Sequence, residues 1–162
     1  MRYAYPCSIL RDEEEQRGTG REAWVATFPD VAGANTGGWS RDEALDLAGD
    51  CLTVALGMYV KAREDIPTPS PLAEGQVLVA VSPIVAAKLA LHAAMREQGV
   101  TNVALARRLG VGENSVRRLL DLRHRSHIAS VNKALHALGR YLVVEDGTTL
   151  RKPEPSAAST AV

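Results

Sequence analysis

The stretch Asn102 to Asp121, NVALARRLGVGENSVRRLLD, decides how this 162-residue chain is organised. It reads as two short amphipathic helices that meet at Gly110, where glycine supplies the positive φ of a tight turn. Ala106, four residues before that glycine, must be small because the second helix crosses over it. Leu105, Leu109, Val111, Val116 and Leu119 then form a small shared core that fixes the crossing angle. Burying Val116 and Leu119 turns Glu113, Asn114, Ser115, Arg117 and Arg118 outward.

A small residue, a turn glycine and an apolar residue in that order is the spacing of a helix-turn-helix, and it resembles the Cro-type repressor unit. In such a unit Gly112 to Leu120 contains the recognition helix. Arginine forks onto guanine O6 and N7, and asparagine onto adenine N6 and N7, which makes Arg117 and Asn114 the first candidates for base edges. Glu113, Ser115 and Arg118 share that face. Arg107, Arg108, Arg123, Arg125 and Lys133 are candidates for phosphates, giving affinity without sequence information. The bland alternative for each arginine taken singly is a solvated surface charge.

The charge balance divides at the same place. The chain carries no net charge, yet residues 1–81 hold 7 Lys+Arg against 13 Asp+Glu, and residues 82–162 hold 12 against 6. One half repels a polyanion and the other attracts it, which suggests two modules with different partners. The two cysteines, Cys7 and Cys51, fit no metal spacing and sit on apolar elements; core thiols in a reducing compartment are expected. His92, His124, His127 and His136 match no zinc-finger pattern, so polar surface or core histidines are expected, with no metal and no cofactor. No window holds the ~18 uncharged apolar residues of a membrane helix, and Met1 to Pro6 lack a signal-peptide core. A cytoplasmic protein without a membrane partner is the expectation.

Upstream, Tyr3 to Leu10 and Glu22 to Phe28 alternate as strands around the polar run RDEEEQRGTGR, which reads as a hairpin loop. Pro29 and Asp30 end the second strand, and a short third strand fits Ala34 to Gly38. Ser40 opens a helix with Glu43 placed to reach back in a capping box, and Ala44, Ala48, Cys51, Leu52, Ala55, Leu56 and Tyr59 mark its apolar face to about Arg63. After the proline-rich EDIPTPSPLAEGQ, the run Val77 to Val81 suits a central strand covered on both faces. Pro83 then starts a helix to Gln98 with Ala87, Leu91, Ala94 and Met95 inward. Ser126 to Leu138 forms another, with Ile128, Val131, Leu135 and Leu138 inward. Arg140 to Glu145 is compatible with a short strand. The expected fold class is an α+β N-terminal domain (βββαβ) over 1–81, followed by an all-α helix-turn-helix domain over 82–146. Residues 147–162 read as a disordered tail.

The glycine-rich stretch FPDVAGANTGGWS, Phe28 to Ser40, is not a nucleotide loop: it lacks G-x-G-x-x-G and carries no lysine after its last glycine. Its turn, together with the opening MRYAYPCSILRDEEE, the helix SRDEALDLAGDCLTVALGMYV and the exit EDIPTPSPL, resembles HicB-type antitoxins over about residues 1 to 138. That resemblance implies a partial ribonuclease H-like domain joined to a DNA-binding domain. It further implies an antitoxin of a type II toxin-antitoxin pair, which masks a small basic HicA-like mRNA-cleaving toxin and autoregulates its operon through operator DNA. A homodimer or higher oligomer follows from paired half-sites. Asp12, Glu13, Glu14 and Glu15 are toxin-binding candidates by charge alone, with a solvated loop as the plain alternative.

Two other functions compete with that reading. A two-metal nuclease needs carboxylates converging from adjacent strands and a helix; Tyr3 to Leu10 and Val77 to Val81 contain none, and the first half has no histidine for nucleophilic catalysis. No catalytic residue is expected, and the chain is read as a non-enzyme. A free-standing helix-turn-helix repressor with a ligand- or protein-sensing N-terminal domain is the alternative that the motif alone does not exclude.

Overall fold

The computed structural model describes residues 3–144. The chain runs β1 (Ala4–Arg11), α1 (Glu13–Thr19), β2 (Trp24–Thr27), β3 (Asn35–Gly38), α2 (Arg41–Ala62), β4 (Val77–Ala80), α3 (Pro83–Glu97), α4 (Asn102–Leu109), α5 (Glu113–Leu120) and α6 (Ile128–His136). Four antiparallel strands in the order β3-β2-β1-β4 form one sheet, and every helix after β4 belongs to an all-helical second half. The architecture is α+β.

Period-two burial along β1 puts Tyr5, Cys7 and Ile9 on the inner face, where the stripe Ala44, Ala48, Leu52, Ala55 and Leu56 of α2 meets them. The alanines in that stripe let the helix lie close to the sheet. Ser40 accepts from the Glu43 amide at 3.1 Å, and the Glu43 carboxylate accepts from the Trp39 amide at 2.7 Å. The cap is thus reciprocal as expected, but Glu43 reaches one residue further back than the N-cap.

The approach is closest at Gly38. A Cβ there would lie 2.7 Å from the Ala44 backbone nitrogen and 3.1 Å from the Glu43 carbonyl carbon. The obstacle is backbone in the first turn of α2, which cannot step aside as a side-chain tip can. Gly38→Ala is therefore expected to cost about 1–3 kcal/mol of stability in a denaturant titration; an unchanged midpoint would contradict this packing.

Phe28 to Gly33 and the proline-rich exit form one contact. The Asp30 carboxylate accepts from the Ser70 amide at 2.9 Å and the Ser70 hydroxyl at 3.0 Å, while the Tyr5 hydroxyl donates to the Pro67 carbonyl at 2.9 Å. The two short signatures of the first half, 40 residues apart, are thereby the two sides of a single fastening.

Several sequence expectations are corrected. Asp12 to Gly20 is not an open loop. Asp12 caps α1 by accepting from the Glu14 and Glu15 amides, three glutamates occupy the positive end of its dipole, and Gly20 ends it at φ 70. Strand β4 is an edge strand: Val79 is buried, but Leu78 is 44% exposed. Residues 140–144 form no strand, and Glu145 with the expected tail lies outside the described residues.

Two apolar clusters hold the molecule. The first lies between the sheet and α2 and also takes Val85 and Leu89 of α3 and Leu122. The second joins Ala87, Leu91, Ala94 and Met95 of α3 to Leu105, Ala106, Val116, Val131, Ala134, Leu135 and Leu138. Helix α3 therefore buries one face in each cluster, which leaves it apolar almost all round. Val111 and Ile128, both expected inward, are 41% and 44% exposed. Val111 sits in the turn past Gly110, and Ile128 at the first position of α6, where each can lean off the core edge.

Candidate functional site

Helices α4 and α5 are joined through Gly110 (φ 67, ψ 33) and two further residues. The Val111 amide donates to the Ala106 carbonyl at 3.0 Å, closing the end of α4 in a left-handed cap. Thr101 caps the start of α4 by accepting from the Ala104 amide, and Gly112 precedes α5. Leu105, Ala106 and Val116 are buried, with Leu109 and Leu119 packed at the cluster's margin. Such packing fixes the outward face of α5: Asn114, Ser115, Arg117 and Arg118 are exposed and Glu113 is half-buried.

Arg117 is not free-swinging. Its Nη2 and Nε lie 2.8 and 3.1 Å from one Glu113 carboxylate oxygen one turn earlier. An exposed i,i+4 pair of this kind contributes about 0.3–0.5 kcal/mol, enough to bias the guanidinium along the helix and small enough to be exchanged for a stronger acceptor. Arg107, Arg108, Arg123, Arg125 and Lys133 are all exposed. Arg108 reaches the Ala137 carbonyl at 3.5 Å, and the Arg123 amide is turned in to the Asp121 carboxylate at 3.0 Å. The arrangement presents fork-shaped and amide donors on one helix, surrounded by exposed cations, a chemistry suited to polyanions with patterned acceptors.

At the other end of the chain, Glu13, Glu14 and Glu15 stand exposed on the first turn of α1, and Asp12 is half-buried in its cap. Trp39 lies under Arg21, 4.3 Å from guanidinium to ring centre, and Trp24 under Arg11 at 5.3 Å. The first half thus offers acids on a formed helix, fixed in direction by the cap.

Three bases lie along α3, of which His92 was expected as a surface or core histidine and Lys88 and Arg96 were not singled out by the sequence. Lys88 is fully buried, His92 is buried, and Arg96 is partly exposed, spaced i, i+4, i+8. The signal was present: Ile84, Val85 and Leu91 stand at i−4, i−3 and i+3 from Lys88, its neighbours on the helix surface. Burial pushes the Lys88 amine below its ordinary range, partly opposed by Asp121. Burial likewise lowers His92, opposed by its hydrogen bond to the Glu64 carbonyl at 2.8 Å. A carbonyl can only accept, so Nε2 carries a proton in this contact.

A pH dependence follows from His92. Because its folded pKa lies below the unfolded value near 6.5, the unfolded chain binds more protons below that pH, and the stability contributed by His92 is lost as pH falls. Thermal stability is expected to decline from pH 7.5 to 5.5, with a shallower decline in His92→Gln, whose amide can keep the bond to Glu64. Equal slopes for the two proteins would contradict the assignment. Cys7, fully buried, has its thiol pushed up to about 11 chiefly by burial and is not a nucleophile at neutral pH.

Between α2, α3 and α5 lies an open cleft of about 840 Å³, walled by Val54, Met58, Arg63, Arg96, Arg117 and Arg123 among others. No group of three His, Cys, Asp or Glu that could hold a metal occurs among the described residues, and none of their helices is long and apolar enough to cross a membrane.

A four-stranded sheet with exposed acids nearby is joined through one shared helix to a helical region with exposed cations. Residues 4–90 match a family described as HicB_like antitoxin of bacterial toxin-antitoxin system. The chain is 38% identical over 138 residues to Antitoxin HicB 2 of Photorhabdus laumondii, covering 85% of this chain and 92% of that one. It is 38% identical over 120 residues to Antitoxin HicB of Pseudomonas fluorescens, covering 74% and 80%. Antitoxin HicB of Escherichia coli K12 is 35% identical over 119 residues, covering 74% and 86%. The chain belongs to the HicB-like antitoxin family, and it is not an enzyme.

Proposed function

We propose that this antitoxin neutralises a HicA-like mRNA-cleaving toxin by direct binding and represses its own operon by binding operator DNA. Residues 1–81 form the toxin-binding domain, a partial ribonuclease H-like βαββαβ unit, and residues 82–146 form a helix-turn-helix domain. Family membership supports the antitoxin role. For DNA, the observation that carries the reading is the outward face of α5, where Asn114, Ser115, Arg117 and Arg118 stand exposed over the buried Val116.

The charge division supports the same assignment: the acidic half suits a basic toxin and the basic half suits a phosphate backbone. Arg107, Arg108, Arg123, Arg125 and Lys133 hold phosphates; Arg117 and Asn114 read bases, with Glu113 releasing Arg117 on contact. Asp12, Glu13, Glu14 and Glu15 steer the toxin from α1, and buried apolar contacts supply the affinity. The chain acts in the cytoplasm as a homodimer or higher oligomer, because such units read paired half-sites about 34 Å apart.

The test is a salt series with the full chain and duplexes from upstream of its own gene. The reading expects protection of two half-sites about one helical turn apart and an affinity that falls steeply as salt rises. Binding to no upstream duplex would remove the DNA function and leave the antitoxin role standing.

A further inference from the structure

The bases on α3 meet carbonyls beyond the C-terminal ends of two different helices. The Lys88 ammonium donates to the Asp121 carbonyl at 2.5 Å and the His124 carbonyl at 2.6 Å. Asp121 is the C-cap of α5, and His124 lies in the turn that follows it. Four and eight residues on, His92 donates to the Glu64 carbonyl, and Arg96 to the Arg63 carbonyl and, at 2.6 Å, to the Asp65 carboxylate. Those groups close the end of α2, whose C-cap Arg63 is held at φ 58.

Carbonyls at a helix C-terminus lack intrahelical partners and sit at the negative end of the dipole, so a cation satisfies both needs. Yet Lys88 is 0% exposed and its two partners are neutral. Burying an ammonium costs more than burying an apolar side chain of the same length. What the amine provides that methionine would not is direction: two bonds from one nitrogen fix where α5 ends and how the chain leaves it.

We propose that Lys88 is the positioning residue of α5: clasping the carbonyls of Asp121 and His124, it sets the angle at which the Asn114 to Arg118 face leaves the body. His92 and Arg96 fix the same helix α3 to α2, so the face is held against the sheet unit and not only by its own helical cluster. This rests on reading α5 as the DNA-reading helix.

Full-length Lys88→Met, Lys88→Gln and a control, Val131→Ala, test it. Val131 is fully buried in the same cluster and makes no bond to the clasp. Each protein is measured for its melting curve, for affinity to the operator duplex and to a random duplex across salt, and for capture of the proposed toxin. Lys88→Met is expected to lower the ratio of operator to random affinity about tenfold. Random-duplex affinity, its salt slope and toxin capture stay unchanged, because the exposed arginines and the sheet unit are untouched. Val131→Ala lowers the melting temperature but keeps the ratio. An unchanged ratio in Lys88→Met, or an equal fall in Val131→Ala, overturns the proposal. Should Lys88→Met fail to fold, Lys88→Gln, which retains an amide donor, is read against the same two outcomes with an intermediate ratio expected. If the wild-type chain itself prefers no duplex, the reading of α5 fails, and that result is separate from any property of Lys88.

Discussion

Replacing Arg117 by alanine is expected to weaken operator binding by tenfold or more and to relax selectivity at one base position, while leaving toxin capture at the wild-type level. The reasoning starts from the packing of Val116, which is fully buried and so turns its neighbour outward. Arg117 then stands on the exposed face with its guanidinium held along the helix by Glu113. A bidentate arginine contact to guanine is worth about 1–3 kcal/mol of discrimination, several times the exposed pair it gives up. Arg108→Ala provides the contrast. That side chain lies on α4 and reaches toward the Ala137 carbonyl, so its loss should weaken operator and random duplexes alike and lower the salt slope by about one. Competition measurements with both duplexes separate the two; equal weakening by both variants would show that Arg117 reads no base.

The second large effect is on stability. Leu52→Ala should cost about 2–5 kcal/mol, because Leu52 is fully buried in the middle of the α2 stripe that covers the sheet. Its neighbours on that stripe are already alanines, Ala48 and Ala55, and the backbone approach at Gly38 keeps the helix from sinking to fill the space. The cavity therefore persists. Against a total stability of roughly 5–15 kcal/mol for a domain, such a loss should show as a clear fall in the denaturant midpoint. A cost below about 1 kcal/mol would mean that α2 and the sheet are not packed as described.

Much of this was readable in the chain, for local reasons. Ser40 with Glu43, the i,i+4 alanines of α2, Pro83 at a helix start and the spacing from Ala106 through Gly110 to Val116 are each short-range patterns with one physical meaning. Failures came where the meaning depends on distant partners. The run Asp12 to Gly20 is wholly polar and buries nothing, so no periodicity announced α1; only its cap and its acidic first turn could have. Val77 to Val81 is apolar enough for a central strand, yet its place at the sheet edge is set by pairing with β1. Asp30 finds Ser70 across 40 residues, which spacing does not reveal. Lys88 drew no notice in the sequence because a charge normally marks a wet face, whereas it is fully buried here. Its apolar neighbours on the helix surface were the readable sign of a buried base.

In the candidate site, the outward direction of Asn114, Ser115, Arg117 and Arg118 agrees with expectation since it depends only on burying Val116. The acidic candidates fared differently. Asp12 is committed to capping α1, whereas Glu13, Glu14 and Glu15 project from its first turn.

The most direct measurement is growth of cells expressing whatever protein is encoded beside this chain, with and without the full-length chain or its Arg117→Ala variant supplied from an unrelated promoter. The proposed function predicts that the neighbour alone arrests growth and that both forms of the chain restore it equally, the operator-binding defect notwithstanding. A neighbour that is harmless, or an arrest that the intact chain does not relieve, would contradict it.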